Sequence, residues 1–324
     1  MPYFLNDTAC PFQIDRKNLW GSKDAINWKR SGRMNFISQL INGLNVGSIY
    51  ALIALGYTMV YGIAKMLNFA HGDVIMVGAY TVYVAIKNLR WPPLVAVVFG
   101  VFVCALLGVT IEKVAYKPLR KASPLAVLIT AIGVSYLLQS LSLLIFGSKQ
   151  IPFQSIINRE PVQIGELKIS GESVVTLVTT VIIMIALTLF INKTKAGKAM
   201  LAVSEDRAAA ELMGVNVNRT ISLTFAIGSG LATIAGVLYA CSYGFIGPYM
   251  GSMAGIKAFI AAVLGGIGNV PGAMLGGILL GLIESLSKAY ISSQLSDAIV
   301  FGVLILVLLI RPAGLLGKTR TEKV

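Results

Sequence analysis

Apolar segments of roughly one bilayer thickness recur along almost the whole chain, near residues 37–63, 72–88, 93–111, 125–146, 174–191, 220–241, 253–268, 271–287 and 295–310. A helix crosses a hydrocarbon core of roughly 30 Å with about 20 mainly apolar residues. In lipid every backbone N–H and C=O must be paired within the protein, which leaves helices or a closed barrel. These runs lack the period-two alternation of barrel strands, so helices remain. Charge content agrees, at 13% of residues against roughly 25% in an ordinary soluble domain. The expected fold is all-α, a polytopic integral membrane protein with about 8–9 transmembrane or re-entrant helices. The second, seventh and eighth segments are short and glycine-bearing, and are candidates for half-spans.

Lys and Arg in short loops set the orientation of such a bundle, because they accumulate on the cytoplasmic side. Lys113, Lys117, Arg120 and Lys121 fall in one loop, and Lys193, Lys195, Lys198, Arg207 and Arg219 in another. Arg311, Lys318, Arg320 and Lys323 lie in the tail. The three groups alternate correctly to share one face. The 147–173 loop balances Lys149, Arg159 and Lys168 against Glu160, Glu166 and Glu172, and falls on the other. The net charge of +13 is therefore a matter of topology, and no nucleic-acid partner is expected.

Residues 1–33 stand apart. They are polar, carry Trp20 and Trp28, and end in Lys29-Arg30-Ser31-Gly32-Arg33. They lack the apolar stretch of about 7–15 residues that a secretory signal needs. Character changes abruptly at Met34. The expected organisation is an N-terminal extension over 1–33, upstream of a natural start at Met34; a genuine interfacial head is the competing reading. A transmembrane domain over 34–317 and a basic tail over 318–324 follow.

Two loops have order of their own. Pro161 to Ile169 alternates around Gly165-Glu166, so a two-residue turn would set Ile164 opposite Leu167 and Val162 opposite Ile169. The 192–219 loop predicts a short helix capped by Ser204, with Glu205 and Asp206 in its first turn, where the helix dipole favours acid. Arg207, Ala208, Ala209, Ala210, Glu211, Leu212 and Met213 favour helix, and Gly214 stands at the left-handed cap position. The apolar pair Leu212 and Met213 would suit a groove on a partner; a linker lying on lipid is the other reading.

Gly268, Gly272 and Gly276 recur every four residues, as do Gly277 and Gly281; Gly228, Ala232, Gly236 and Ala240 make a further small face. Such faces let helix backbones approach closely. Pro271 allows a break between two segments, expected to line a pathway, since broken backbone at membrane depth needs protein or water beside it. Polar groups inside spans are few. Glu284 is the deepest acid, expected to pack against a hydroxyl or amide. Lys257 is expected to snorkel to an interface. Lys65, Asn68, His71 and Asp73 are expected to gather at the inner end of the first segment, His71 in a hydrogen bond at a helix junction.

The 192–219 loop also carries a resemblance. Permease subunits of bacterial ABC importers hold a Glu-Ala-Ala-x-x-x-Gly pattern that docks into an ATPase, and Ala208-Ala209-Ala210-Glu211-Leu212-Met213-Gly214 is similar in spacing. Ser204-Glu205-Asp206-Arg207 and Met213-Gly214-Val215 resemble the branch that imports branched-chain amino acids. So do Gly47 to Gly56, Asn68-Phe69-Ala70-His71-Gly72, Val263 to Ala273 (with Gly265, Gly266, Gly268, Asn269, Pro271 and Gly272) and Arg311 to Gly317. The order and spacing resemble the H-type subunit of the leucine/isoleucine/valine importer. Alanine replaces the coupling glutamate at Ala208, and Asn269 stands where serine is more usual.

The resemblance implies a second related permease subunit, two cytoplasmic ATPase subunits carrying ATP and Mg, and a periplasmic substrate-binding protein, in a bacterial inner membrane. It implies no cofactor on this chain. A urea or short-amide importer is the neighbouring alternative. The sequence has no Gly-x-x-x-x-Gly-Lys-Ser/Thr phosphate loop and no His-Glu-x-x-His. Cys10, Cys104 and Cys241 have no metal-ligand spacing. An ion-coupled transporter acting alone should show paired ionisable groups in its spans, and a membrane enzyme should show a catalytic constellation.

Overall fold

A computed structural model describes residues 22–120, 122–157, 160–164 and 167–317, with the side chains of 22–35 and 162–168 left aside. Eleven α-helices are found among the described residues. They are α1 (Ser22–Ala64), α2 (His71–Lys87), α3 (Pro93–Ile111), α4 (Pro124–Phe146), α5 (Gly171–Lys193), α6 (Lys195–Glu205), α7 (Arg207–Leu212), α8 (Val217–Tyr243), α9 (Met250–Gly265), α10 (Val270–Tyr290) and α11 (Ser296–Ile310). One π-helical turn, Glu112–Tyr116, prolongs α3. The chain is thus an all-α polytopic membrane protein. Six of the helices are long and apolar enough to cross a membrane: Phe36–Ala64 of α1, Pro93–Tyr116, α4, α5, α8 and α10. Helices α9 and α11 are apolar but shorter.

Every apolar run of the sequence is a helix, and the second and seventh are short, at 17 and 16 residues, but the eighth is not. The eighth segment is α10, a full 21-residue helix. The ninth, α11, is short at 15 residues. Helices α2 and α9 begin inside the bundle. Asp73 in the first turn of α2 meets Ser135 and Gln139, midway along α4. Gln139 also donates to Ser252 at the start of α9, at 3.0 Å. Gly72 faces Gly251 and Gly255 so closely that neither side has room for a methyl group. Helix α1 passes through Met34 without interruption, so the compositional boundary there is not a helix boundary. The rest of the head, residues 1–21, and the tail over 318–324 lie outside the described residues.

The centre is a seam between α1 and α10. Gly277 and Gly281 of α10 face the backbone of Ala51 and Gly47 of α1, while Gly272 and Gly276 face α9 at Gly265 and Ala261. Two small faces on one helix therefore let it pack against two neighbours at once. Gly268 does not belong to this row. It lies in the turn between α9 and α10, where Gly266 (φ 104°) and Gly268 (φ 94°) take the left-handed backbone that reverses the chain. Asn269 then caps α10, its side chain accepting from the Gly272 N–H, and Pro271 sits in the first turn, where no donor is missed. On α8, Gly228, Ala232, Gly236 and Ala240 are all buried.

The two ends of the bundle differ. At one end lie the close of α1, the 112–120 segment, the 193–217 connection, the α9–α10 turn and residues 311–317, tied by bonds such as Leu315 N–H to the Leu264 carbonyl at 2.8 Å. The described parts of the basic loops expected to share a face meet there, while Lys121, Lys318, Arg320 and Lys323 lie outside the described residues. Two short pairings lie toward the opposite end: β1 (Ile151–Pro152) with β4 (Phe245–Ile246), and β2 (Val162–Ile164) with β3 (Leu167–Ile169). The hairpin has the register its alternation predicted, Val162 with Ile169 and Ile164 with Leu167.

Candidate functional site

A cavity of about 510 Å³ opens at the basic end, between α1, α5, α6 and the α9–α10 turn. Its wall mixes Thr58, Met59 and Lys65 with Met200, Ser204 and Glu205, and the broken backbone Gly268-Asn269-Val270-Pro271 forms one side. The turn is held in place by the chain end: Asn269 donates to the Leu316 carbonyl at 2.8 Å, and Leu316 N–H bonds the Gly265 carbonyl at 3.1 Å. The break between α9 and α10 therefore borders this cavity.

Beside the cavity, the 193–217 connection folds as two helices. Thr194 caps α6, accepting from Gly197 N–H at 3.0 Å, and this helix runs on through Ser204 and Glu205. Ser204 is thus inside α6, donating to the Leu201 carbonyl at 2.7 Å, and is not the cap. The cap of α7 is Asp206, whose carboxylate accepts from Ala208 and Ala209 N–H at 2.8 and 3.1 Å. Both residues are competent caps; an established helix upstream consumed the first. Gly214 has φ 82° and ends α7 in the left-handed form expected of it. Ala210 turns inward, whereas Leu212 and Met213 are 90% and 84% exposed. Arg207, half-buried, donates to the Ala64 carbonyl; burial first, and then the charge of Arg120, lowers its pKa.

The group expected at the inner end of α1 is drawn apart. Lys65 stays on the cavity rim in a left-handed conformation (φ 54°). Residues 65–70 then turn back into the bundle, carrying Asn68, His71 and Asp73 inward. Asn68 accepts from the Tyr116 hydroxyl at 2.9 Å. The His71 imidazole is bonded to the Ile53 backbone and packs edge-on against Tyr57, with Nε2 against Gly56. It lies where the start of α2 meets α1. Asp73 accepts from Ser135 and from Gln139, the latter at 3.0 Å.

Glu284 sits in the half of α10 remote from the cavity, and its neighbours differ from those expected. Its carboxylate accepts from Tyr50 at 2.9 Å, as a hydroxyl partner should, but also pairs with Lys257 at 2.9 Å and Lys288 at 2.5 Å. Lys257 does not snorkel. It is 7% exposed and bridges Glu284 to Asp297 at 2.7 Å, because two carboxylates beside it offset its desolvation. The i,i+4 spacing of Glu284 and Lys288, and of Ser135 and Gln139, was a sequence signal for these two networks that went unread. No local spacing ties Lys257, Asp297 or Ser252 to their partners. Among the described residues no cluster of three metal-binding side chains occurs.

These features define a polytopic membrane protein with a cavity open at its basic end and a short helix presented beside it. The chain belongs to the family of branched-chain amino acid transport system permease components, which it matches over residues 39–308. It is 46% identical over 302 residues to the high-affinity branched-chain amino acid transport system permease protein LivH of Escherichia coli, covering 89% of this chain and 98% of that one. BraD of Pseudomonas aeruginosa, described in the same words, is 46% identical over 90% of this chain and 98% of its own. A probable branched-chain amino acid transport permease protein, LivH of Methanocaldococcus jannaschii, is 29% identical over 83% of this chain and 89% of its own.

Proposed function

We propose that this chain is one translocation subunit of an ATP-driven, binding-protein-dependent ABC importer for branched-chain amino acids in a bacterial inner membrane. A second related permease completes the pathway, a periplasmic binding protein delivers substrate, and two ATPase subunits hold and hydrolyse ATP with Mg. This chain has no cofactor or catalytic role of its own. The basic end faces the cytoplasm, following the distribution of Lys and Arg. The cavity there is the inner mouth of the pathway, with Gly265, Gly266, Gly268, Asn269, Pro271 and Gly272 shaping its broken wall and Gly276 holding that wall against α9.

The observation that carries the coupling role is α7. A one-and-a-half-turn helix with two large apolar side chains exposed at its C-terminal end is costly beside water, and fits a hydrophobic groove on a partner. Asp206 and Gly214 fix its two ends; Ala209 and the Leu212–Met213 pair face outward. Gly214→Leu tests the reading. No atom lies within 4 Å of a side chain begun at 214, so the bundle is undisturbed while the left-handed backbone is strained by about 1–2 kcal/mol. The variant should remain folded in the membrane and retain ATPase roughly tenfold less well, measured by co-purification and ATP-dependent leucine uptake. Unaltered uptake would overturn the docking site.

A further inference from the structure

Besides α6, whose Ser204 and Glu205 line the cavity just before α7 in the chain, a strap of backbone joins the presented helix to the cavity. Ala64 closes α1, and residues 65–70 turn inward to reach His71 at the start of α2. The strap is held at two points from elsewhere in the chain: Arg207 of α7 donates to the Ala64 carbonyl, and Tyr116 donates to Asn68. A carbonyl at a helix C-terminus lacks an intrahelical donor, and a cation there is favoured by the helix dipole. The strap also borders the cavity, for Lys65 lines it, and Gly62, one turn before the strap, lies against Gly268 of the α9–α10 turn. Helix α7 otherwise packs chiefly on its own flanks, α6 and α8.

We propose that Arg207 is a positioning residue for transport, passing displacement of α7 to the 65–70 strap and so to the cavity wall. The proposal rests on the reading that α7 docks an ATPase. The second clamp makes it specific: Tyr116 stands on the π-helical turn beside Glu112, which is bound by Arg120 and Ser222. That turn is anchored to the start of α8, so the far end of the strap is fixed while Arg207 moves the near end. A strap fixed at one end and pulled at the other changes the cavity rim at Lys65 without requiring the long spans to shift first.

The test uses the complete complex in liposomes, with its ATPase, second permease and binding protein. Arg207→Gln should keep ATPase co-purification and stimulated hydrolysis, while leucine transported per ATP falls about tenfold, the scale of one charge-assisted hydrogen bond made in one of two states. Arg207→Lys, which keeps the charge and a donor, should restore part of that ratio, a recovery that a merely structural defect would not show. Tyr116→Phe should lower the ratio in the same direction. An unchanged ratio in Arg207→Gln overturns the proposal, and so does loss of the ATPase from that variant, which would make Arg207 a docking contact. Leu212→Ser with Met213→Ser separates the two readings: loss of ATPase there upholds docking whatever Arg207 does, and full retention removes docking and this proposal together.

Discussion

Helices α1 and α5 are both long apolar spans, yet the apolar window of α1 is 83% buried within the protein and that of α5 only 17%. The more apolar of the two is the exposed one. Water-soluble folds would reverse this. Lipid tails are as apolar as leucine, so burying a large side chain between helices yields little; what distinguishes the centre is close backbone approach and interhelical polar contact. Helix α1 accordingly turns Gly43, Gly47, Ser48 and Ala51 inward, whereas α5 shows Val178, Ile182, Ile185 and Leu189 to the outside. The same division separates α8 and α10, at 72% and 50% buried, from α3 and α4, at 28% and 22%.

Removing a charge from the centre should have the largest effect. Glu284→Ala leaves Tyr50 and Lys257 without their buried acceptor, at a cost of about 3 kcal/mol, near the low end for breaking a buried pair because Lys257 keeps Asp297. Thermal unfolding in detergent should show this, and Glu284→Gln should recover part of it. Next comes overpacking of the seam. A Cβ at Gly47 would lie 2.8 Å from the Ile278 Cα, so Gly47→Val should cost about 2 kcal/mol, measured in the same way. On the rim, Gly133 of α4 has nothing within 4 Å of an added Cβ, and Gly133→Val should stay within about 0.5 kcal/mol. Equal losses at Gly47 and Gly133 would break the distinction between centre and rim.

The helices and the β2–β3 hairpin were legible because their signals are local: a run of apolar residues, or alternation about a two-residue turn. The candidate site was legible where a single residue type dictates backbone, as at Gly214. It was less so where two neighbours could do the same work. Ser204 and Asp206 both precede helix formers, and only the helix begun at Thr194 decides between them. The side-chain networks were hardest. Gln139 meets Asp73 and Ser252 from across the bundle, and Lys257 meets Glu284 and Asp297; the charges were visible in the sequence, but which helix would face which was not.

The inward start of α2 bears on how the protein is made. Asp73 enters the bilayer early in synthesis, yet Ser135 and Gln139 arrive only with α4, and the Ser252 that completes their network comes with α9, almost 180 residues after Asp73. Until α4 is made, a nascent α2 carries a carboxyl group without either of its hydrogen-bond donors. Such a segment is poorly suited to being released alone into lipid. The polar start of α2 thus gains its companions in two stages of synthesis, first from α4 and then, through Gln139, from α9.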